Sequence, residues 1–218
     1  TPKEPMTPEL EPEPAAAATL FGDRIDVARA FTADLARRGE ELGLIGPLEL
    51  PRLWTRHILN SALLAPLLRP GRVGDIGSGA GLPGLVLAIA RPDAHLILIE
   101  PMERRCDWLR EQVDLLALTN VDVVRARAED AAIDPLDQVT ARAVKSLRIL
   151  IPVVSPMLRP GGELILMKGR RVEEERVEAA KAISKARLTD VEVLELGVGL
   201  TDETTMVFRA RTRLASPA

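Results

Sequence analysis

From residue 71 onward, short apolar runs of strand length alternate with amphipathic stretches of helix length. The runs predict strands at 72–76, 95–100, 121–125, 138–142 and 162–167, then near 190–196 and 204–210. Helices are expected between them at 82–91, 102–118, 146–158 and 172–186. Strands that alternate with helices form βαβ units, and right-handed crossovers wind these into a parallel sheet covered on both faces. The short link from Gly197 to Glu203 predicts that the sheet finishes in an antiparallel pair. The expected fold is α/β, a doubly wound Rossmann-like sheet whose ligands bind beyond the carboxyl ends of the strands.

Ahead of this pattern, apolar residues recur at helical spacing over 22–43 and 51–68. The chain therefore divides into a Pro/Glu-rich leader at 1–18, an N-terminal helical segment at 19–70 and a core at 71–218. The leader is expected to be disordered, because five prolines and four glutamates leave too little apolar surface to bury. It also carries the whole net charge of −3, since the remainder holds 28 basic and 28 acidic residues. Acidity of the chain is thus no argument against a nucleic-acid partner. No apolar run approaches the roughly 20 residues of a membrane helix, and no signal-peptide pattern is present, so a cytoplasmic protein is expected. One cysteine and two histidines leave no multi-ligand Cys or His metal site.

The stretch Val73-Gly74-Asp75-Ile76-Gly77-Ser78-Gly79-Ala80-Gly81-Leu82-Pro83-Gly84 sits where the first strand turns into the first core helix. Glycines there let backbone approach a ligand closely. Gly79-x-Gly81-x-x-Gly84 matches a dinucleotide fingerprint, which alone is weak. Asp75-x-Gly77-x-Gly79-x-Gly81 matches the loop of S-adenosylmethionine-dependent methyltransferases. Asp75 favours the second, because a strand-end carboxylate suits a cationic amino-acid end and repels a pyrophosphate. Glu100 ends the run Leu96 to Ile99, where a carboxylate can accept bonds from both ribose hydroxyls. Ala128-Glu129-Asp130 follows the third strand and suits either an adenine contact or a helix cap.

The acceptor is narrowed by what is missing. The chain has no tyrosine and no Asn/Asp-Pro-Pro-aromatic loop after the fourth strand, which disfavours methylation of an exocyclic amine. Cys106 lies among charged residues on a helix and reads as a buried helical cysteine, not a nucleophile. An acceptor with a free lone pair, such as guanine N7, needs alignment and no covalent step. Arg104, Arg105, Arg110, Arg125, Arg127, Arg142, Lys145, Lys168, Arg170 and Arg171 cluster beyond the strand ends. Arginine is 24 of the 29 basic residues, which suits phosphate and guanine recognition and equally follows from a GC-rich genome. His57 is either a satisfied core histidine or part of a site near the crevice mouth.

Arg56-His57-Ile58-Leu59-Asn60-Ser61, the loop from Asp75 to Gly84, Glu100 to Leu109, Ala128-Glu129, Ala141-Arg142-Ala143 and Leu166-Met167-Lys168-Gly169 together resemble the glucose-inhibited division protein B (RsmG/GidB) family of small-subunit ribosomal RNA methyltransferases. The match is close over 51–169. One departure is Arg104-Arg105, where many members carry Lys-Arg; the acidic leader is another. The resemblance implies methylation of guanine N7 in the 530 loop of 16S ribosomal RNA, with S-adenosyl-L-methionine as cofactor. It implies cofactor contacts from Gly77, Leu82, Ala128, Glu129 and Arg142, with Glu100 at the ribose; Asp75, Gly79 and Gly81 complete the expected set. Arg142, Lys168 and His57 are the candidate catalytic residues. Arg56, Arg104, Arg105, Lys168, Arg170 and Arg171 are the candidate RNA contacts, in naked 16S RNA or the small subunit, made by a monomer with no membrane partner. The competing expectations are a small-molecule methyltransferase roofed by the N-terminal helices and a cofactor-free binding module on the same fold.

Overall fold

The computed structural model describes residues 9–142 and 145–214. Residues 1–8 of the leader, Ala143 of the Ala141-Arg142-Ala143 motif, Val144 and residues 215–218 lie outside the described part. The N-terminal segment forms α1 (Ala16–Phe21), α2 (Ile25–Arg38), a π-helical segment (Leu53–Leu59) and its continuation α3 (Asn60–Ala62). The core follows as β1 (Gly71–Ile76), α4 (Gly84–Ala90), β2 (Ala94–Ile99), α5 (Glu103–Leu115), β3 (Val121–Val124) and β4 (Leu136–Arg142). It ends with α6 (Leu147–Val154), β5 (Leu158–Lys168), α7 (Val172–Glu178), α8 (Ala180–Lys185), β6 (Leu188–Leu196) and β7 (Thr205–Thr212).

The seven strands lie in the order β3-β2-β1-β4-β5-β7-β6. β1 to β5 are parallel, and β7 runs antiparallel between β5 and β6. Order reverses between β1 and β4, so the crevice of a doubly wound sheet opens at the carboxyl ends of those two strands. Strand alternation assigns the two faces. Leu96 and Leu98 of β2, Ile165 of β5 and Val207 of β7 pack under α4, α5 and the N-terminal helices. Ile97, Ile99, Leu164, Leu166 and Phe208 pack on the other side under α6, α7 and α8.

The N-terminal helices are part of the core, with no break in packing at residue 70. Helix α4 reads Gly-Leu-Val-Leu-Ala-Ile-Ala, and its first six residues are buried. A helix apolar all round needs a cover on both sides. The sheet supplies one, while Phe21, Ala28, Phe31, Leu35, Trp54 and Ile58 join the same cluster from the other. Arg38 of α2 then spans to α5, bonding Glu111 at 2.8 and 2.9 Å and lying 5.3 Å from the centre of the Trp108 ring.

The expected disorder of the leader is corrected for residues 9–18. Helix α1 begins at Ala16, and Ala17 is fully buried. The Glu11 carboxylate accepts the Thr55 N–H at 2.9 Å and the Thr55 hydroxyl, near the start of the π-helical segment. Glu13 pairs with Arg29. Composition undervalued this stretch because its glutamates are held by capping and pairing and its alanines pack into the core. The run Leu158-Arg159-Pro160-Gly161-Gly162 interrupts the strand pairing. It lies inside β5 as an irregularity, and pairing jumps from Leu136–Leu158 to Gln138–Glu163 across it. No helix among the described residues is long and apolar enough to cross a membrane.

Candidate active site

The glycine loop runs from the end of β1 to the start of α4 and is held from below by Asp75. That side chain is 0% exposed. One carboxylate oxygen accepts the Gly84 N–H at 2.9 Å and the Ser78 hydroxyl, while the other is buried without a partner. Burial pushes the Asp75 carboxyl up to about 6, against the pull of Ser78, the Gly84 N–H and nearby Arg142. Asp75 is absent from the linings of the two cavities that meet at Gly77. A carboxylate at this position is enclosed by the loop it ties together.

Glu100 holds the loop from the side. It is 2% exposed, with one oxygen accepting the Gly79 N–H at 3.0 Å and the other the Met102 N–H at 2.9 Å. The Gly77 N–H bonds the Ile99 carbonyl at 2.8 Å, and the Trp108 indole N–H bonds the Ala80 carbonyl at 3.0 Å. Gly77 has φ +69°, and a Cβ placed there would meet nothing within 4 Å. Open space therefore begins at this residue. Gly81 instead closes the loop against Leu85.

Two cavities meet at Gly77. The larger, about 390 Å³, is walled by Ile76, Ile99, Ala141, Leu150 and Val153 and is edged by Ala128, Glu129, Arg127 and Lys145. The smaller, about 180 Å³, is lined by Leu44, Gly77, Ser78, Gly79, Ala80, Leu82, Arg105 and Arg142. Among the described residues only Gly77 and Arg142 line both. Apolar walls beside a few placed polar groups suit a nucleoside, and the polar second cavity suits a charged amino-acid end. The buried Nε of Arg105 at that second cavity adds a donor that has no partner among the described residues. The residues present thus fit S-adenosylmethionine.

The site draws Gly77, Gly79, Leu82, Ala128, Glu129 and Arg142 together around the two cavities, as their positions suggested. Arg105, expected at RNA phosphate, lines the smaller cavity. Lys168 does not stand free at the mouth: its side chain is 3% exposed, and Nζ pairs with Glu175 at 2.8 Å and donates to the Lys145 carbonyl at 2.8 Å. Arg171 is exposed and paired with Glu174. Arg56, Arg104 and Arg170 are exposed and form no ion pair among the described residues. His57 does not reach the cavities. It is 8% exposed and lies behind Arg142, with Nδ1 2.6 Å from Arg142 Nη1 and Nε2 2.5 Å from Glu49 Oε2. Sequence reasoning missed Ser78, Glu49 and Trp108 as supports. Ser78 and Trp108 carried a signal, as parts of the Asp75 to Gly84 loop and the Glu100 to Leu109 motif, whereas Glu49 carried none.

The chain matches the family model GidB, rRNA small subunit methyltransferase G, over residues 24–203. It is 66% identical to the ribosomal RNA small subunit methyltransferase G of Leifsonia xyli over 95% of this chain and 100% of that relative. The protein of the same name from Clavibacter michiganensis is 67% identical, over 93% of this chain and 96% of its own. Among solved structures, a methyltransferase from Pyrococcus furiosus superposes with TM-score 0.59 at 15% identity, covering 72% of this chain and 83% of its own. M. jannaschii TYW2 in complex with AdoMet does so with TM-score 0.56 at 20% identity, covering 73% and 76%. These two share the fold. Full-length identity to the named relatives, together with the glycine loop and its crevice, means that the chain belongs to the rRNA small subunit methyltransferase G family and is an S-adenosylmethionine-dependent methyltransferase.

Proposed function

We propose that this protein methylates N7 of a guanine in the 530 loop of 16S ribosomal RNA, acting as a monomer in the cytoplasm. The observation that carries this is the crevice at Gly77, sized for a nucleoside and rimmed by cations that have no internal partner. Arg127 and Lys145 edge the larger cavity, and Arg56, Arg104 and Arg170 are exposed outside the two linings; none of the five forms an ion pair among the described residues. S-adenosylmethionine, when bound, supplies an electrophilic sulfonium methyl. Guanine N7 carries a lone pair and no proton, so the protein has to align and desolvate and need not remove a proton. No histidine, cysteine or tyrosine lines the larger cavity, which suits such an acceptor.

Gly77 lets backbone approach the ligand, and Glu100 keeps lone pairs for the ribose hydroxyls beyond those used by Gly79 and Met102. Ala128 and Glu129 edge the larger cavity where a base would lie. Arg142, between the cavities, is the side chain placed to touch both cofactor and substrate. The free arginines at the rim would hold phosphates, while Lys168 and Arg171, already paired, would shape the rim.

Incubation of 16S RNA and of small subunits with methyl-labelled cofactor tests this, followed by mapping of cleavage at N7-methylguanine. Label confined to the 530 loop is expected; label elsewhere, or only on a small molecule, overturns it. Glu100→Ala should weaken binding of the demethylated cofactor by about 1–3 kcal/mol in calorimetry. It should also lower the melting midpoint, because the Gly79 and Met102 N–H groups lose their acceptor.

A further inference from the structure

His57 is the sole hydrogen-bond partner of the Arg142 side chain among the described residues. A guanidinium has donors only. The ring nitrogen 2.6 Å from Arg142 Nη1 must therefore present its lone pair, which leaves the ring proton on Nε2, donated to Glu49 at 2.5 Å. Glu49 is fixed in turn by Arg52 at 2.8 Å. Arg142 is a long side chain at the end of β4, next to the crevice, and an unrestrained guanidinium there would sample many rotamers.

We propose that His57 is a positioning residue. Anchored by Glu49 and carrying its proton on Nε2, it holds the Arg142 guanidinium at the boundary of the two cavities. The segment from Glu49 to His57 thereby sets cofactor affinity without touching the cofactor. This rests on the crevice being the S-adenosylmethionine site. The groups facing His57 are Glu49, itself bonded by Arg52, Arg56 from its own helix and Arg142 from β4, with Asp75 beyond Arg142. Burial pushes the ring below its usual pKa, Glu49 opposes, and Arg142 and Arg56 push it further down. A second proton would set N–H against guanidinium N–H and release Arg142.

Two measurements on the full chain test this. Long-range nitrogen NMR at neutral pH reads the tautomer directly. There are only two histidines, and His95→Asn identifies the other. Protonated Nε2 and bare Nδ1 are expected; the opposite tautomer, or a charged ring, overturns the proposal. Calorimetry with S-adenosylhomocysteine then compares two variants. His57→Asn sets an acceptor oxygen where Nδ1 stands and should bind within about threefold of the wild type, whereas His57→Gln loses that acceptor and should bind about tenfold weaker. The loss should appear as a higher KM for cofactor and, because Arg142 also faces the substrate, as a lower kcat/KM for RNA. Wild-type affinity in His57→Gln overturns the proposal. If that variant fails to fold, the tautomer in the wild type decides. Absence of heat with wild-type protein overturns the assignment of the crevice itself, and the proposal with it.

Discussion

Asp75 illustrates how a residue picked out by its spacing has a second task that spacing does not show. Its spacing from the glycines marks the loop, yet its carboxylate is sealed beneath Ser78 and Gly84. The buried charge has a measurable consequence. The carboxyl titrates near 3.8 when unfolded and about 6 in the folded protein. Between those values the folded state keeps a proton that the unfolded state has lost. Its contribution to stability is therefore full below about pH 4, falls as pH rises, and is gone above about pH 6. Asp75→Asn removes this dependence. Relative to wild type, the variant should gain up to about 3 kcal/mol between pH 4 and pH 7, provided the amide keeps both accepted bonds. Melting midpoints of both proteins across that range check it; a constant difference would show that Asp75 does not titrate there.

The loop and the strands around it were legible for different reasons. Buried parallel strands read as unbroken apolar runs, so Leu96 to Ile99 and Leu164 to Met167 stand out, and their ends fall within a few residues of expectation. The π-helical segment was legible only as a helix, because its wider turn leaves the apolar spacing nearly unchanged. The glycines of the loop separate by task. Gly77→Ala should fold, at a cost of roughly 1–2 kcal/mol for its left-handed φ, but should lose at least tenfold in cofactor affinity, since the methyl enters both cavities. In Gly84→Ala the methyl would press into Asp75 and Leu98, well inside van der Waals separation, so about 1–3 kcal/mol of stability should go first. Parallel thermal melts and calorimetry distinguish the two; equal cofactor affinity in Gly77→Ala and wild type would refute the placement of the site.

Across the whole molecule, the helical segment and the sheet share one core, and the first described residues strap onto that segment. Glu11→Ala leaves the N–H and hydroxyl of Thr55 without their acceptor and should cost about 1–2 kcal/mol, a fall of a few degrees in melting midpoint. An unchanged midpoint would mean that the strap contributes nothing. The charge distribution acts at the same scale. Replacing both Arg104 and Arg170 with alanine should reduce the slope of log K against log salt for 16S RNA by about 0.7 for each phosphate left without its cation, with heat of cofactor binding unchanged. An RNA affinity with wild-type salt dependence would remove both from the interface.

The sequence by itself determined the alternation of strands and helices, the position of the glycine loop, Glu100 beside it and the family. Each of these is written in local periodicity or in spacing along a few consecutive residues. Only the tertiary structure decided which charges are free. Lys168 meets Glu175, Arg105 turns to the smaller cavity, Glu11 reaches Thr55, and Glu49 and Arg142 close on His57 from elements that are distant along the chain. Whether a charged side chain is a surface contact, a support or a ligand depends on which groups stand within hydrogen-bond reach of it, and that is set by packing between elements.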